Sequence, residues 1–161
     1  MGKSKDSKGF NLFLAVCILL PTILGIASVF LAMGGFKNPI SFTKDIFSSA
    51  FSGIGGLILL WWLTYPLMGL SFYIVVKEKE KRHAATLAIF ILQLVFNFFW
   101  FPMLGEGWFL IAAIWLFVLT GLVAILVVFT WKIKKRAALL LLPYLVLCLL
   151  FLFFNGHIAA G

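Results

Sequence analysis

The stretch "AATLAIFILQLVFNFFWFPML", residues 84–104, carries no charged residue along its whole length. A helix needs about 20 predominantly apolar residues to cross the hydrocarbon core of a bilayer, and this run meets that requirement. The run is continuous rather than alternating, which favours a spanning helix over a barrel strand. Two amides, Gln93 and Asn97, nevertheless stand one helical turn apart within it. An amide in hydrocarbon is costly unless it is bonded, so both side chains are predicted to face inward.

The rest of the chain has the same character. It has 161 residues, of which 64% are hydrophobic and 11% are charged, whereas soluble domains carry about a quarter charged residues. The first apolar run is longer than the core of a signal peptide and is interpreted as a retained helix. We predict a single all-α membrane domain over residues 1–161, a five-transmembrane-helix bundle with spans at roughly Asn11–Met33, Ala50–Val76, Ala84–Leu104, Trp108–Trp131 and Ala137–Phe154.

The basic residues are distributed unevenly between the two sides of the predicted bundle. Eleven of the thirteen Lys and Arg residues lie in the amino-terminal segment and in the second and fourth connections, and the other two are Lys37 and Lys44. The positive-inside rule therefore predicts an internal amino terminus and an external carboxyl terminus. Together with the absence of a targeting segment, this asymmetry suggests a bacterial cytoplasmic membrane. We expect the basic residues that give the net charge of +8 to interact with anionic lipid headgroups and not with nucleic acid.

The predicted spans lack the residues that ion-coupled transport, enzymatic catalysis and metal binding usually require. No Asp, Glu, Lys, Arg or His lies in the middle of a span, although ion-coupled carriers usually need a buried ionisable group. No nucleophile is paired with a base, so we expect no enzymatic activity and no catalytic residues. Cys17 and Cys148 lie inside apolar runs without a CxxC pattern, and we interpret them as buried thiols and not as metal ligands.

Aromatic and neutral polar residues recur at helical spacing on three spans. Such spacing places the residues of each set on one helix face. Amides on these faces could bond neighbouring helices or point into a pocket; bonding between helices is the commoner role and is favoured for Gln93, whereas both roles stay open for Asn97. Trp108 and Trp131 are interpreted as interfacial anchors. The three faces are Trp61, Tyr65, Met68, Gly69 and Phe72; Gln93, Asn97, Trp100 and Leu104; and Tyr144, Leu147, Phe151 and Asn155.

Three blocks of sequence resemble the TspO/MBR family, the tryptophan-rich sensory proteins and mitochondrial translocator proteins. "WWLTYPLMG" is similar to the second-helix pattern W-x-x-x-Y-x-x-M-G of that family. "QLVFNFFW" is similar to the third-helix pattern Q-L-x-x-N-x-x-W. "LLPYL", with an asparagine at a fixed distance, is similar to the fifth-helix pattern. The order and spacing of the blocks extend the resemblance over about residues 30–157.

The resemblance implies a five-helix bundle, commonly a homodimer, whose cavity opens under the first loop. The cavity of that family binds tetrapyrroles such as protoporphyrin IX and haem, and some members bind sterols or synthetic isoquinoline and benzodiazepine-type ligands. No obligatory cofactor is implied. On the matched positions Trp61, Tyr65, Asn97 and Trp100 would line the cavity, and Trp115 would contribute a wall from the fourth helix.

The chain also departs from the family pattern. The first loop holds only "FKNP", residues 36–39, without the usual Pro-Pro pair. On the fifth helix Leu147 replaces a usual tryptophan, and Phe151 stands where a small residue is usual. These two residues complete the predicted ligand-binding set, and we expect them to reshape or shrink the pocket.

The resulting hypothesis is an integral membrane receptor or binding protein for a flat hydrophobic ligand, with a tetrapyrrole as the favoured class, acting in sensing or transport. The expected partners are this ligand, membrane lipids and a second copy of the chain. The alternatives are a facilitative transporter of an amphiphilic metabolite or sterol-like lipid, a porphyrin-degrading enzyme, and a scaffold with a vestigial cavity. Flux into sealed vesicles without an ion gradient would distinguish a transporter from a binding protein.

Overall fold

The computed structural model describes residues 3–32, 53–78 and 83–160. These residues form helices α1 (Lys3–Ala32), α2 (Gly53–Lys77), α3 (His83–Gly105), α4 (Phe109–Ile133) and α5 (Lys135–Ala160). All five are long and apolar enough to cross a membrane, as the sequence predicts. Helices suit this environment because they satisfy their backbone hydrogen bonds internally, where lipid offers no partner.

The helix ends differ from the predicted bounds mainly at the polar flanks. Helix α1 begins at Lys3 and α5 extends from Lys135 to Ala160, because helices continue through polar residues beyond the apolar runs from which the spans were predicted. Glu106 lies in the predicted tight turn between α3 and α4, where Gly107 adopts a φ of 77°. The first-loop "FKNP" segment, residues 36–39, lies outside the described residues.

The five helices form a closed ring in the order α1, α2, α5, α4, α3. Each helix packs mainly against its two neighbours in this order, and the most extensive of the smaller contacts across the ring, among the described residues, joins α2 and α3. The buried side chains of α4, which include Ala112, Leu116, Leu119 and Val123, recur at three- and four-residue spacing and form one stripe toward the bundle. The ring order places α2, α3 and α5 around a common interior.

Two prolines leave backbone carbonyl groups without a helical partner, and neighbouring helices contact these groups. A proline inside a helix lacks an N–H group, so the carbonyl four residues earlier loses its helical partner. Pro102 frees the carbonyl of Phe98, and the hydroxyl of Ser28 on α1 donates to that oxygen at 2.6 Å. Pro21 likewise frees the carbonyl of Cys17, which lies directly against Gly69 of α2. These contacts join α1 to both α2 and α3.

Candidate functional site: an aromatic interior with one bridging amide

Large aromatic side chains fill the interior between α2, α3 and α5. Trp61 and Trp100 are completely buried, and their ring centroids are 5.1 Å apart. Tyr144 of α5 packs edge-on against Trp61 with a centroid distance of 5.3 Å, and Phe101 packs at 4.5 Å from Trp100. The indoles therefore converge on one interior instead of pointing toward lipid. Each such ring pair adds about 0.5–1.5 kcal/mol beyond the apolar area that it buries.

A chain of hydrogen bonds crosses the same interior. The indole N–H of Trp61 donates to the hydroxyl of Tyr65 at 3.0 Å, and this hydroxyl donates to Oδ1 of Asn97 at 3.1 Å. Nδ2 of Asn97 in turn donates to the hydroxyl of Tyr144 at 2.7 Å. Asn97 thus uses both ends of its amide to join α3 to α2 and α5. Of the two roles left open by the sequence, this contact pattern corresponds to bonding between helices.

Gln93 bonds to a neighbouring helix as well. Its Nε2 donates to the sulfur of Met68 at 2.8 Å, whereas its buried Oε1 has no hydrogen-bond partner among the described residues. A thioether is a weak acceptor, so this contact holds α2 and α3 together less firmly than the Asn97 contacts.

Phe151 occupies the middle of the aromatic interior. Its ring lies edge-on against Trp61 at 5.0 Å and against Trp100 at 5.3 Å, and its side chain is only 8% exposed. The space that a smaller residue would leave beside the two indoles is therefore filled. Two residues that contact Phe151 each have a buried polar atom without a hydrogen-bond partner among the described residues, namely the indole N–H of Trp100 and Oδ1 of Asn155.

Two other predicted site residues lie apart from this interior. Trp115 stacks on Phe96 at 4.3 Å and donates to the Phe96 carbonyl at 2.7 Å, in a second aromatic group between α3 and α4. Leu147 is buried, but it lines a groove on the outer side of α2 and α5. The structure therefore brings Trp61, Tyr65, Asn97, Trp100 and Phe151 together. Trp115 packs on the border of this buried core through Phe96, and Leu147 belongs to the core but faces the groove.

Two residues of the interior were not among the predicted site residues. Tyr144 accepts the Asn97 hydrogen bond, and its shared helix face with Phe151 was the signal that could have indicated this role. Phe101 directly follows Trp100 in the sequence, so helical spacing places it off the predicted face and gives no such signal.

The sequence model of the TspO/MBR family matches residues 17–160 of the chain. The chain belongs to the TspO/MBR family. The match covers all five spans in whole or in large part, and it agrees with the resemblance predicted from the three sequence blocks. No curated protein sequence matches the chain. Family membership and the five apolar helices make this TspO/MBR protein an integral membrane protein with a role in binding, sensing or transport.

Replacing Asn97 by alanine is expected to destabilise this TspO/MBR protein by about 1–3 kcal/mol, because the Tyr65 and Tyr144 hydroxyls would both lose a buried partner. Thermal unfolding in detergent would measure the loss. A double-mutant cycle with Tyr144→Phe is expected to give a coupling energy of roughly 0.6–1.7 kcal/mol, the range found for hydrogen bonds between membrane helices. Thr22→Val is a suitable control, since Thr22 donates only to Ile18 of its own helix. A coupling energy near zero would contradict the bridging role.

Proposed function

We propose that this protein binds a flat, hydrophobic ligand of the tetrapyrrole class, such as protoporphyrin IX or haem, between α2, α3 and α5. The observation that carries the proposal is the convergence of Trp61, Trp100 and Tyr144 from three helices on one interior. Flat conjugated molecules bind well to such surfaces, because offset or edge-on ring contacts add to the burial of apolar area.

Few polar side-chain groups are available to bond the ligand in the proposed site. The N–H of Trp100 is buried and has no partner among the described residues, so it can donate to a ligand without breaking an existing bond. A propionate or carbonyl oxygen of the ligand would be a suitable acceptor. Asn97 holds the tyrosines in place and does not itself contact the ligand, because both ends of its amide are already bonded.

Entry of the ligand requires Phe151 to move. Its ring occupies the space between the indoles that a tetrapyrrole would take. Rotation of the side chain toward lipid would open this space at the expense of two edge-on ring contacts. The proposal therefore predicts weaker binding than an interior without this ring would give.

Titration with protoporphyrin IX tests the proposed function. Binding beside buried indoles is expected to quench the tryptophan fluorescence of the purified protein in detergent or nanodiscs. Haem titration monitored by its absorbance provides a second readout that does not depend on tryptophan. Saturable tryptophan quenching by protoporphyrin IX and a saturable change in haem absorbance would together support the proposal. If neither signal changes at ligand concentrations well above micromolar, the proposal is refuted.

Trp100→Ala is expected to weaken protoporphyrin binding by about tenfold or more, which corresponds to roughly 1.4 kcal/mol. Trp108→Ala is the matched control because Trp108 is 55% exposed on the outside of the bundle, and it should change the Kd by less than about twofold. Titration with protoporphyrin IX, monitored by the absorbance of the porphyrin, would measure both Kd values. Since Trp100→Ala also opens a large cavity, Trp100→Phe is a milder variant that keeps one aromatic ring and removes the N–H together with part of the indole. Equal effects of the two alanine variants would contradict the assigned site.

A further inference from the structure

An aliphatic groove runs along the outside of the bundle between α2 and α5. It encloses about 690 Å³, and neither an aromatic nor a charged side chain lines it. Helix α5 contributes Leu139, Leu142, Val146 and Leu150, and the facing wall comes from leucines of α2. The hydroxyl of Thr64 also lines the groove, but it already donates to the carbonyl of Trp61 at 2.6 Å. The groove therefore suits an occupant that is flexible and wholly apolar along this length.

Two cations stand at one end of the groove. Lys135 and Arg136 precede Leu139 by four and three residues, so they continue the same face of α5. Both are exposed, and neither forms an ion pair with a described residue; the nearby Glu78 pairs with Lys134 at 2.8 Å. Lys135 also lies 6.0 Å from the ring centroid of Trp131, an aromatic of the kind found at membrane interfaces.

The beginning of α5 adds to this positive end. The helix begins at Lys135, and the first N–H groups of a helix have no partners within the helix. Together with the helix dipole they favour an anion such as a phosphate. In α5, however, the N–H groups of Ala137 and Ala138 already donate to the Lys134 carbonyl at 3.0 and 3.2 Å, so the cationic side chains and the helix dipole, and not these N–H groups, would attract an anion at the level of the lipid headgroups.

The length of the groove matches one leaflet of a bilayer. From Leu139 to Leu150 the helix rises about 16 Å at 1.5 Å per residue. Half of the hydrocarbon core of a bilayer measures about 15 Å. With the phosphate at the level of Arg136, an acyl chain that starts at Leu139 would therefore lie in the groove as far as the middle of the membrane.

We propose that the groove between α2 and α5 is a binding site for one anionic glycerophospholipid. Its phosphate would contact Lys135 and Arg136, and one of its acyl chains would lie along Val146 and Leu150. A tetrapyrrole fits this site less well, since no aromatic side chain is available for stacking. The two exposed cations favour an anionic occupant over a second copy of this chain, which carries a net charge of +8. The site is separate from the aromatic interior and does not depend on the proposed function.

Native mass spectrometry tests the site on the full chain purified in a mild detergent. After delipidation, the protein would be titrated with phosphatidylglycerol and with phosphatidylcholine carrying the same acyl chains. We expect one phosphatidylglycerol per chain, bound at least about tenfold more tightly than phosphatidylcholine, a difference of roughly 1.4 kcal/mol. Equal affinity for the two lipids would overturn the headgroup assignment and with it the proposal.

Three variants locate the lipid. The double change Lys135→Gln and Arg136→Gln should abolish the preference for phosphatidylglycerol, and Val146→Trp should reduce binding of both lipids by filling the groove. Lys132→Gln is the matched control, because Lys132 is an exposed cation on α4 away from the groove. An equal loss in this control, or full binding to Val146→Trp, would contradict the site.

If Val146→Trp leaves lipid binding intact but changes the oligomeric state measured by light scattering, the groove is an interface between copies. Circular dichroism would verify that each variant is folded.

Discussion

Phe151→Ala is expected to increase the affinity for protoporphyrin IX by roughly 5- to 150-fold. The ring of Phe151 makes edge-on contacts with Trp61 at 5.0 Å and with Trp100 at 5.3 Å. Each such pair is worth about 0.5–1.5 kcal/mol, so moving the ring aside costs about 1–3 kcal/mol before any ligand binds. In the alanine variant the ligand would enter a space that already exists. Titration with protoporphyrin IX, monitored by quenching of tryptophan fluorescence, would give the affinities of the parent protein and of the variant.

Without ligand, the Phe151→Ala protein should be less stable than the parent protein, and bound ligand should restore its stability. Removing a buried phenyl ring usually costs about 3–5 kcal/mol, and a ligand that refills the cavity stabilises the folded state in proportion to its affinity. Phe153→Ala is the matched control, because Phe153 stands two residues away on α5 and is 72% exposed. It should alter neither the affinity nor the stability appreciably. Equal affinities for the folded Phe151→Ala and Phe153→Ala proteins would show that Phe151 does not occupy the ligand site.

Gly69→Ala is expected to destabilise the protein by about 3 kcal/mol or more, at the upper end of the usual cost of overpacking. A Cβ added at Gly69 would overlap the carbonyl oxygen of Cys17 and would lie 2.7 Å from the Cα of Ile18. Both obstacles are backbone atoms of α1, so no side-chain rotation can relieve the overlap. The two helices would have to separate, and the packing of α1 against α2 would be lost. Thermal unfolding in detergent and the yield of folded protein would measure this effect.

Gly121→Ala provides the matched control for this prediction. Gly121 also lies within a helix, but no heavy atom stands within 4 Å of the position that its Cβ would take. Alanine is about 0.8–1.0 kcal/mol more favourable than glycine inside a helix, so this variant should be as stable as the parent protein or slightly more stable. If Gly69→Ala behaved in the same way, the close approach of α1 and α2 at Gly69 would be wrong.

The sequence predicted correctly which side of α2, α3 and α5 faces inward. Trp61, Tyr65 and Met68 share the predicted face and are all buried, and so are Gln93 and Asn97. This inference succeeds because the helical repeat fixes the direction of each side chain around its own axis, and because amides avoid hydrocarbon. The positions of Trp115 and Leu147 could not be obtained in this way. Trp115 contacts Phe96 on α3 and Leu147 faces the groove beside α2, and the helical repeat gives no information about which part of a neighbouring helix a side chain meets.

By itself, the sequence determined five spanning helices, membership of the TspO/MBR family and an inward stripe of indoles and amides. These properties depend on apolar length, on the order of short motifs and on the helical repeat, all of which are local. Only the tertiary structure decided that Asn97 joins Tyr65 to Tyr144, that Phe151 fills the space between the indoles, and that an aliphatic groove runs along the outside of the packed helices α2 and α5. Each of these depends on which helices are neighbours, and in lipid several arrangements bury the same stripes, so packing in three dimensions has to select one of them.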